Sequence, residues 1–203
     1  MGFADVLKKV FAPRWPPADQ DRLRLRLATS RAVLLAPLVR GRVGRDDDRI
    51  VALGEYEGRA AQLRIWLAFG TTEVRLATRR TLRSYVSLHY DVERDQYAGG
   101  PPPIVTDPKA KRWHDLSAHV GVHGDEREVA EAKARLEQLP QELVAPLVAT
   151  MDAARYGYLR AGGDEVALSL DAPALLSKEA PRIFGEELAR LARLADAIER
   201  AWP

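Results

Sequence analysis

The chain has 203 residues, 46% of them apolar and 30% charged, which is the make-up of a globular protein with a core of its own. It contains no cysteine, which excludes disulfides, thiolate nucleophiles and cysteine-ligated zinc together. Net charge is +2, divided as +8 over residues 1–83 and −6 over residues 84–203, so an anionic partner would favour the first half, or the two halves would attract each other.

The longest apolar run, Ala32 to Val39, is interrupted by Pro37 and falls far short of the ~20 residues that cross a bilayer, so no transmembrane segment is expected. The N-terminus shows no long apolar stretch followed by a small-residue cleavage site, and a cytoplasmic location is the expectation.

Residues 3–11 read as a short amphipathic helix, with Phe3, Val6, Leu7, Val10 and Phe11 on one face and Lys8 and Lys9 on the other. Pro13, Pro16 and Pro17 stop it. A helix this short is marginal alone, because isolated helices need about 12–15 residues. It therefore docks: on its own domain, in a partner's groove, or on a membrane surface. Residues 1–17 are set apart as this helix and its proline-rich linker, and 18–203 as a single domain.

Residues 18–38 favour a helix, with Asp19 placed to cap it and Leu25, Ala28, Ala32 and Leu35 on one face. Gly41, Gly44 and Asp46–Asp48 read as a polar turn.

Four strands follow. The first covers about Arg49 to Tyr56, and Glu57-Gly58 turns the chain into a second, about Ala60 to Phe69, where Leu63, Ile65, Leu67 and Phe69 recur at every second residue. A third spans Glu73 to Thr78 and a fourth Ser84 to Val92. Residues 94–112, with Gly99-Gly100-Pro101-Pro102-Pro103, form a long loop between the two halves.

A strand over about Asp115 to Val122 reopens the pattern. Asp125 and Glu128 then cap a helix carrying Val129, Ala132 and Leu136. Pro140 starts a second, with Pro146 inside it. Gly162-Gly163 reads as the turn of a hairpin between about Tyr156–Arg160 and Glu165–Leu170. The last helix starts near Pro181, with Phe184, Leu188, Leu191, Ala195, Ile198 and Trp202 at helical spacing. These elements specify an α+β fold: a mainly antiparallel sheet of six to seven strands packed by two or three helices, with the N-terminal amphipathic helix in addition.

Several short patterns approach known chemistry and stop short. Gly162-Gly163-Asp164-Glu165-Val166 resembles the signature pentapeptide of GGDEF diguanylate cyclases, in which a hairpin turn approaches the nucleotide and an acidic residue helps to hold metal. The likeness covers about a dozen residues. Only 38 residues follow Glu165, no second aspartate segment lies upstream, and Ala153 and Tyr156 occupy the positions of that family's upstream RxxD pattern. Turn chemistry accounts for the match.

Arg79 and Arg83 have the spacing of the RxxxR pair in PilZ cyclic-di-GMP receptors. That family's DxSxxG element is out of step here, because Asp115-Leu116-Ser117-Ala118-His119-Val120-Gly121 carries one residue too many between serine and glycine. His89, His114, His119 and His123 read as surface histidines, since on a strand four residues separate His119 from His123 by about 13 Å. The Asp46–Asp48 run lacks calcium-loop spacing. No nucleophile elbow, phosphate loop or dinucleotide glycine pattern appears, and no cofactor or metal is implied.

The outer sheet face is the most concrete candidate surface. If the odd-numbered apolar set of 63–69 faces inward, Arg64 and Trp66 face outward, as do Arg75 and Arg79, then Tyr85 and His89. Arginine and aromatics on a sheet suit a protein partner or self-association, where Trp, Tyr and Arg dominate binding. The expected function is a non-catalytic binding or adaptor protein that uses Phe3, Val6, Leu7, Val10, Phe11, Arg64 and Trp66. One alternative is a nucleic-acid or anionic-ligand (cyclic dinucleotide) module using Arg64, Arg75, Arg79 and Arg83. The other is an enzyme of unrecognised type.

Overall fold

Apolar alternation over the first strands and the helical stripe at the C-terminus both take the shapes their periods dictate in a computed structural model, which describes residues 17–46, 49–66, 72–90, 112–117, 120–124, 126–154, 157–170, 175 and 177–202. The helix expected at 3–11 and nearly all of the loop expected at 94–112 lie outside the described residues. The fold is α+β with an antiparallel sheet. Two compact units are formed, Met1–Ala77 with Ser169–Ala192, and Thr78–Leu168 with Arg193–Pro203.

In the first unit, helix α1 (Pro17–Leu35) runs into a 3-10 turn (Ala36–Val39) and then a meander: β1 (Arg42–Asp46), β2 (Arg49–Tyr56), β3 (Arg59–Trp66) and the start of β4 (Thr72–Tyr90). Neighbours pair antiparallel, with Arg42 opposite Leu53, Arg49 opposite Trp66 and Leu63 opposite Val74. Glu57 and Gly58, at φ 50° and 74°, make the turn between β2 and β3, where two positive φ values match the twist of the strands. Ile50, Ala52, Leu63, Ile65, Val74 and Leu76 face the core, as do Ala28, Ala32 and Leu35 of α1. Phe184 and Leu188, on the first part of the last helix, α4 (Ala180–Ala201), are buried in this unit as well.

The second unit holds the rest of β4, a hairpin of β5 (Arg112–Asp115) and β6 (Val120–Gly124), helices α2 (Glu126–Leu136) and α3 (Gln141–Ala154), strand β7 (Tyr158–Leu170) up to Leu168, and the end of α4. β6 pairs antiparallel with β4 over Leu88–Tyr90. β7 pairs with β4 too. Tyr90 N–H donates to the Gly157 carbonyl at 3.1 Å, and further along Gly162 lies against Tyr85, so the two strands run in opposite directions. The core is filled by Val86, Leu88, Leu136, Leu147, Met151, Leu159, Ile198 and Trp202. The Trp202 indole N–H donates to the Arg135 carbonyl at 3.1 Å, a second bond to a carbonyl at the end of α2 that also accepts from Gln138 N–H at 3.2 Å. Among the described residues, no helix is long and apolar enough to cross a membrane.

Four elements differ from the sequence expectation. Residues 42–46 form a strand where a turn was expected, because an exposed edge strand has no apolar alternation to read. Residues 73–78 and 84–92 are not two strands: β4 is continuous over 72–90, and Arg79, Arg80 and Thr81 conceal the continuity because they stand in water. The strand expected over 115–122 is a hairpin, closed where Leu116 and Ser117 N–H donate to the Val120 carbonyl and Val120 N–H donates to the Ser117 hydroxyl. Gly162-Gly163 is not a hairpin turn, since β7 runs straight through it, with Gly163 alone at φ 60°.

Candidate interaction surface

Alternation along β3 and β4 puts the expected polar set on the outer face, and the pairing register decides what each side chain meets. Register places Arg49 opposite Trp66, and the guanidinium lies 3.6 Å from the centre of the indole. Trp66 is therefore half-buried beneath a cation from its own sheet, held by quadrupole attraction and the arginine's flat stacking. Arg64 stands opposite Glu73 and Gln62 opposite Arg75. Glu73 is only 1% exposed. Arg75 Nε donates to it at 2.5 Å and Arg75 Nη2 at 3.0 Å, Arg64 lies 4.0 Å away, and Arg64 Nε donates to Gln62 at 2.9 Å. A buried carboxylate needs such partners, and here it draws two of the candidate arginines onto itself.

Arg79 and Arg83 belong to the second unit, Arg64, Trp66 and Arg75 to the first. Arg79 pairs with Asp196 at 2.9 Å and lies 3.9 Å from Glu199. Arg83 is exposed and, among the described residues, pairs with no carboxylate. Phe3, Val6, Leu7, Val10 and Phe11 lie outside the described residues.

The residues of the Gly-Gly-Asp-Glu-Val pentapeptide are engaged locally. Asp164 accepts a hydrogen bond from the Thr81 hydroxyl at 2.5 Å, and Glu165 accepts from Arg160 at 2.6 Å. Val166 is in the core. Of the histidines, His89 shares a 2.7 Å hydrogen bond with the Ser87 hydroxyl and tilts towards Tyr158, ring centres 6.3 Å apart. Among the described residues, no three His, Asp or Glu side chains come together as metal ligands do.

What sequence reading did not assemble is the outer face of β4 in the second unit. Arg79, Thr81, Arg83 and Tyr85 stand exposed along it, and Tyr85, 63% exposed, lies over the bare backbone of Gly162. A Cβ at Gly162 would come within 2.6 Å of the Tyr85 ring, so only glycine lets the aromatic lie there. Beside this face runs a groove of about 820 Å³ between Arg83–Ser87 of β4 and Glu128–Gln138 of α2 and the turn after it, with Val122 and Ala132 on its apolar side. The only signal for it in the sequence is the continuity of β4, which its polar middle hides.

One acid elsewhere is out of the ordinary. Glu187, on α4 in the first unit, is 4% exposed. Burial pushes its carboxyl above the usual carboxylate range, while Arg190, donating at 2.6 Å, pulls it back.

No family model matches the sequence, and no curated protein matches it. Among solved structures, the chain is similar to the crystal structure of the mycobacterial trehalose monomycolate transport factor A, TtfA, with a TM-score of 0.52 and 15% identity, over 88% of this chain and 95% of that one. At that identity the likeness is one of fold.

Proposed function

We propose that this protein is a non-catalytic cytoplasmic binding factor that engages a protein partner through its N-terminal amphipathic segment and the arginine and aromatic side chains of its outer sheet faces. The observation that carries the reading is Tyr85, 63% exposed beside the exposed Arg83 and held over Gly162. A large, rigid aromatic in water next to an arginine is the chemistry of a binding hot spot. Arg64 and Trp66 belong to the same proposal, with Trp66 half-buried under Arg49. The fold neighbour is a trehalose monomycolate transport factor, and a binding role for this chain agrees with that.

The alternative of a nucleic acid or cyclic dinucleotide on Arg64, Arg75, Arg79 and Arg83 has less support. An incoming phosphate would have to compete with Glu73 for two of them and with Asp196 for a third. An anion site is expected to lose affinity steeply with salt, which a titration at two ionic strengths reads directly.

The test is a photo-crosslinking amino acid placed in turn at positions 7, 66 and 85 in the native cell. A discrete protein adduct from at least one position is expected, and from position 85 above all. No adduct from any of the three overturns the proposal.

A further inference from the structure

The N–H and C=O groups of a strand point alternately to its two edges. Tyr90 N–H is given to Gly157, the residue that leads into β7, so the even-numbered residues of this half of β4 serve β7 and the odd-numbered ones serve the opposite edge. β6 occupies that opposite edge only over Leu88–Tyr90. At the other end, Arg79 N–H is taken by the carboxylate of Glu199, a side chain doing the work of a missing strand. Between these limits, among the described residues, no strand covers the edge that Thr81, Arg83 and Tyr85 present.

The groove described above opens along this same edge, with α2 as its far wall. From Thr81 to Ser87 the edge is about 20 Å long, at ~3.3 Å per residue. We infer that it is a docking site for one extended peptide segment of a partner protein, which adds as a strand beside β4. The inference rests on the partner-binding reading and names how the partner is held.

The groove's shape selects the occupant. Main-chain donors and acceptors in a row recognise a strand rather than a helix. α2 forms the wall across the groove from Arg83–Ser87, so the guest is a lone segment lying between strand and helix. Alternate side chains of the guest would face Val122 and Ala132, which favours apolar residues there, while the others would lie beside Arg83 and Tyr85. Exposed edges are usually blocked against pairing, and Arg83 with the flanking α2 limits this one to guests thin enough to enter.

The free protein provides the first test. Amide hydrogen exchange is expected to alternate, fast at Arg83 and Tyr85 and slow at Leu82, Ser84 and Val86. Equal protection at all five means the edge is already covered and overturns the inference.

The second test uses the capped peptide acetyl-Thr-Val-Thr-Val-Thr-Val-amide. It is expected to slow exchange at Arg83 and Tyr85. Arg83→Pro deletes only an edge donor and is expected to weaken binding about tenfold, the worth of one hydrogen bond, while Arg83→Ala, which keeps the N–H, changes it less than about threefold. N-methylation of the peptide's valines or of its threonines, whichever series faces β4, is expected to abolish binding. If Arg83→Pro folds and binds the peptide as wild type does, or the peptide leaves Arg83 and Tyr85 exchange unchanged, strand addition is wrong. A position-85 adduct that survives in Arg83→Pro would leave the partner reading standing without it.

Discussion

Glu187 and Gly54 show how much a single position carries. For Glu187, burial raises the folded-state pKa above that of the unfolded chain. The folded state therefore holds the proton more tightly. That contribution to stability is fully present below the unfolded pKa and is lost as pH rises through the folded one. Glu187→Gln is expected to remove this pH dependence and to stabilise the protein at neutral pH by about 1 kcal/mol, since the amide oxygen still accepts from Arg190 and no charge is buried. Urea titrations of both proteins across the acid-to-neutral range check this, and a variant weaker than wild type at neutral pH would mean that the attraction of Arg190 outweighs burial.

At Gly54 the limit is space. A Cβ there would lie 2.0 Å from the Val39 carbonyl oxygen and 2.6 Å from Gly41 Cα, backbone atoms with nowhere to go. Gly54→Ala is expected to cost about 1–3 kcal/mol, read as a lowered urea midpoint. The sequence shows this glycine but not the chain segment lying against it.

At the scale of elements, the 3-10 turn over 36–39 ends on Arg40 in the left-handed region, φ 48° and ψ 36°, where its N–H donates to Pro37. A glycine adopts this conformation without the Cβ penalty, so Arg40→Gly is expected to gain up to about 1 kcal/mol in thermal or urea unfolding. The last helix depends on its final aromatic. Trp202 is buried and caps α2 through the Arg135 carbonyl, while Arg80 donates to the carbonyls of Glu199 and Trp202. Trp202→Ala is expected to cost about 3–5 kcal/mol, from lost burial and a cavity, and retention of wild-type stability would show that the C-terminal turn is dispensable.

Helices and inner strands were legible because burial on one face leaves a period in the sequence. That is why Leu63 and Ile65, or Phe184 through Ile198, announce their elements. β1 and the middle of β4 were not, because a strand in contact with water on both faces carries no such period. The β5–β6 hairpin was missed because its closing bonds involve the Ser117 hydroxyl and two backbone groups, which leave no compositional mark.

For the whole molecule, the expectation concerns the N-terminal segment. Removing residues 1–16, all outside the described part, is expected to keep a cooperative melt while diminishing the crosslinked partner. Loss of the melt would make the segment part of the core and weaken the proposed function. By itself, the sequence determined the fold class, the inward direction of Leu63 and Ile65 (Leu67 and Phe69 lie outside the described residues) and the alternation that turns Arg64, Trp66, Arg75, Arg79 and Tyr85 to the opposite face, because side-chain direction follows from strand period alone. Only tertiary structure decided which of those side chains are already engaged: Arg49 over Trp66, Glu73 between Arg64 and Arg75, Asp196 on Arg79. Those partners come from other strands or from far along the chain, and strand register and helix placement, which no local pattern encodes, bring them together. The same holds for the edge beside Tyr85, where, among the described residues, β6 pairs with β4 only over Leu88–Tyr90.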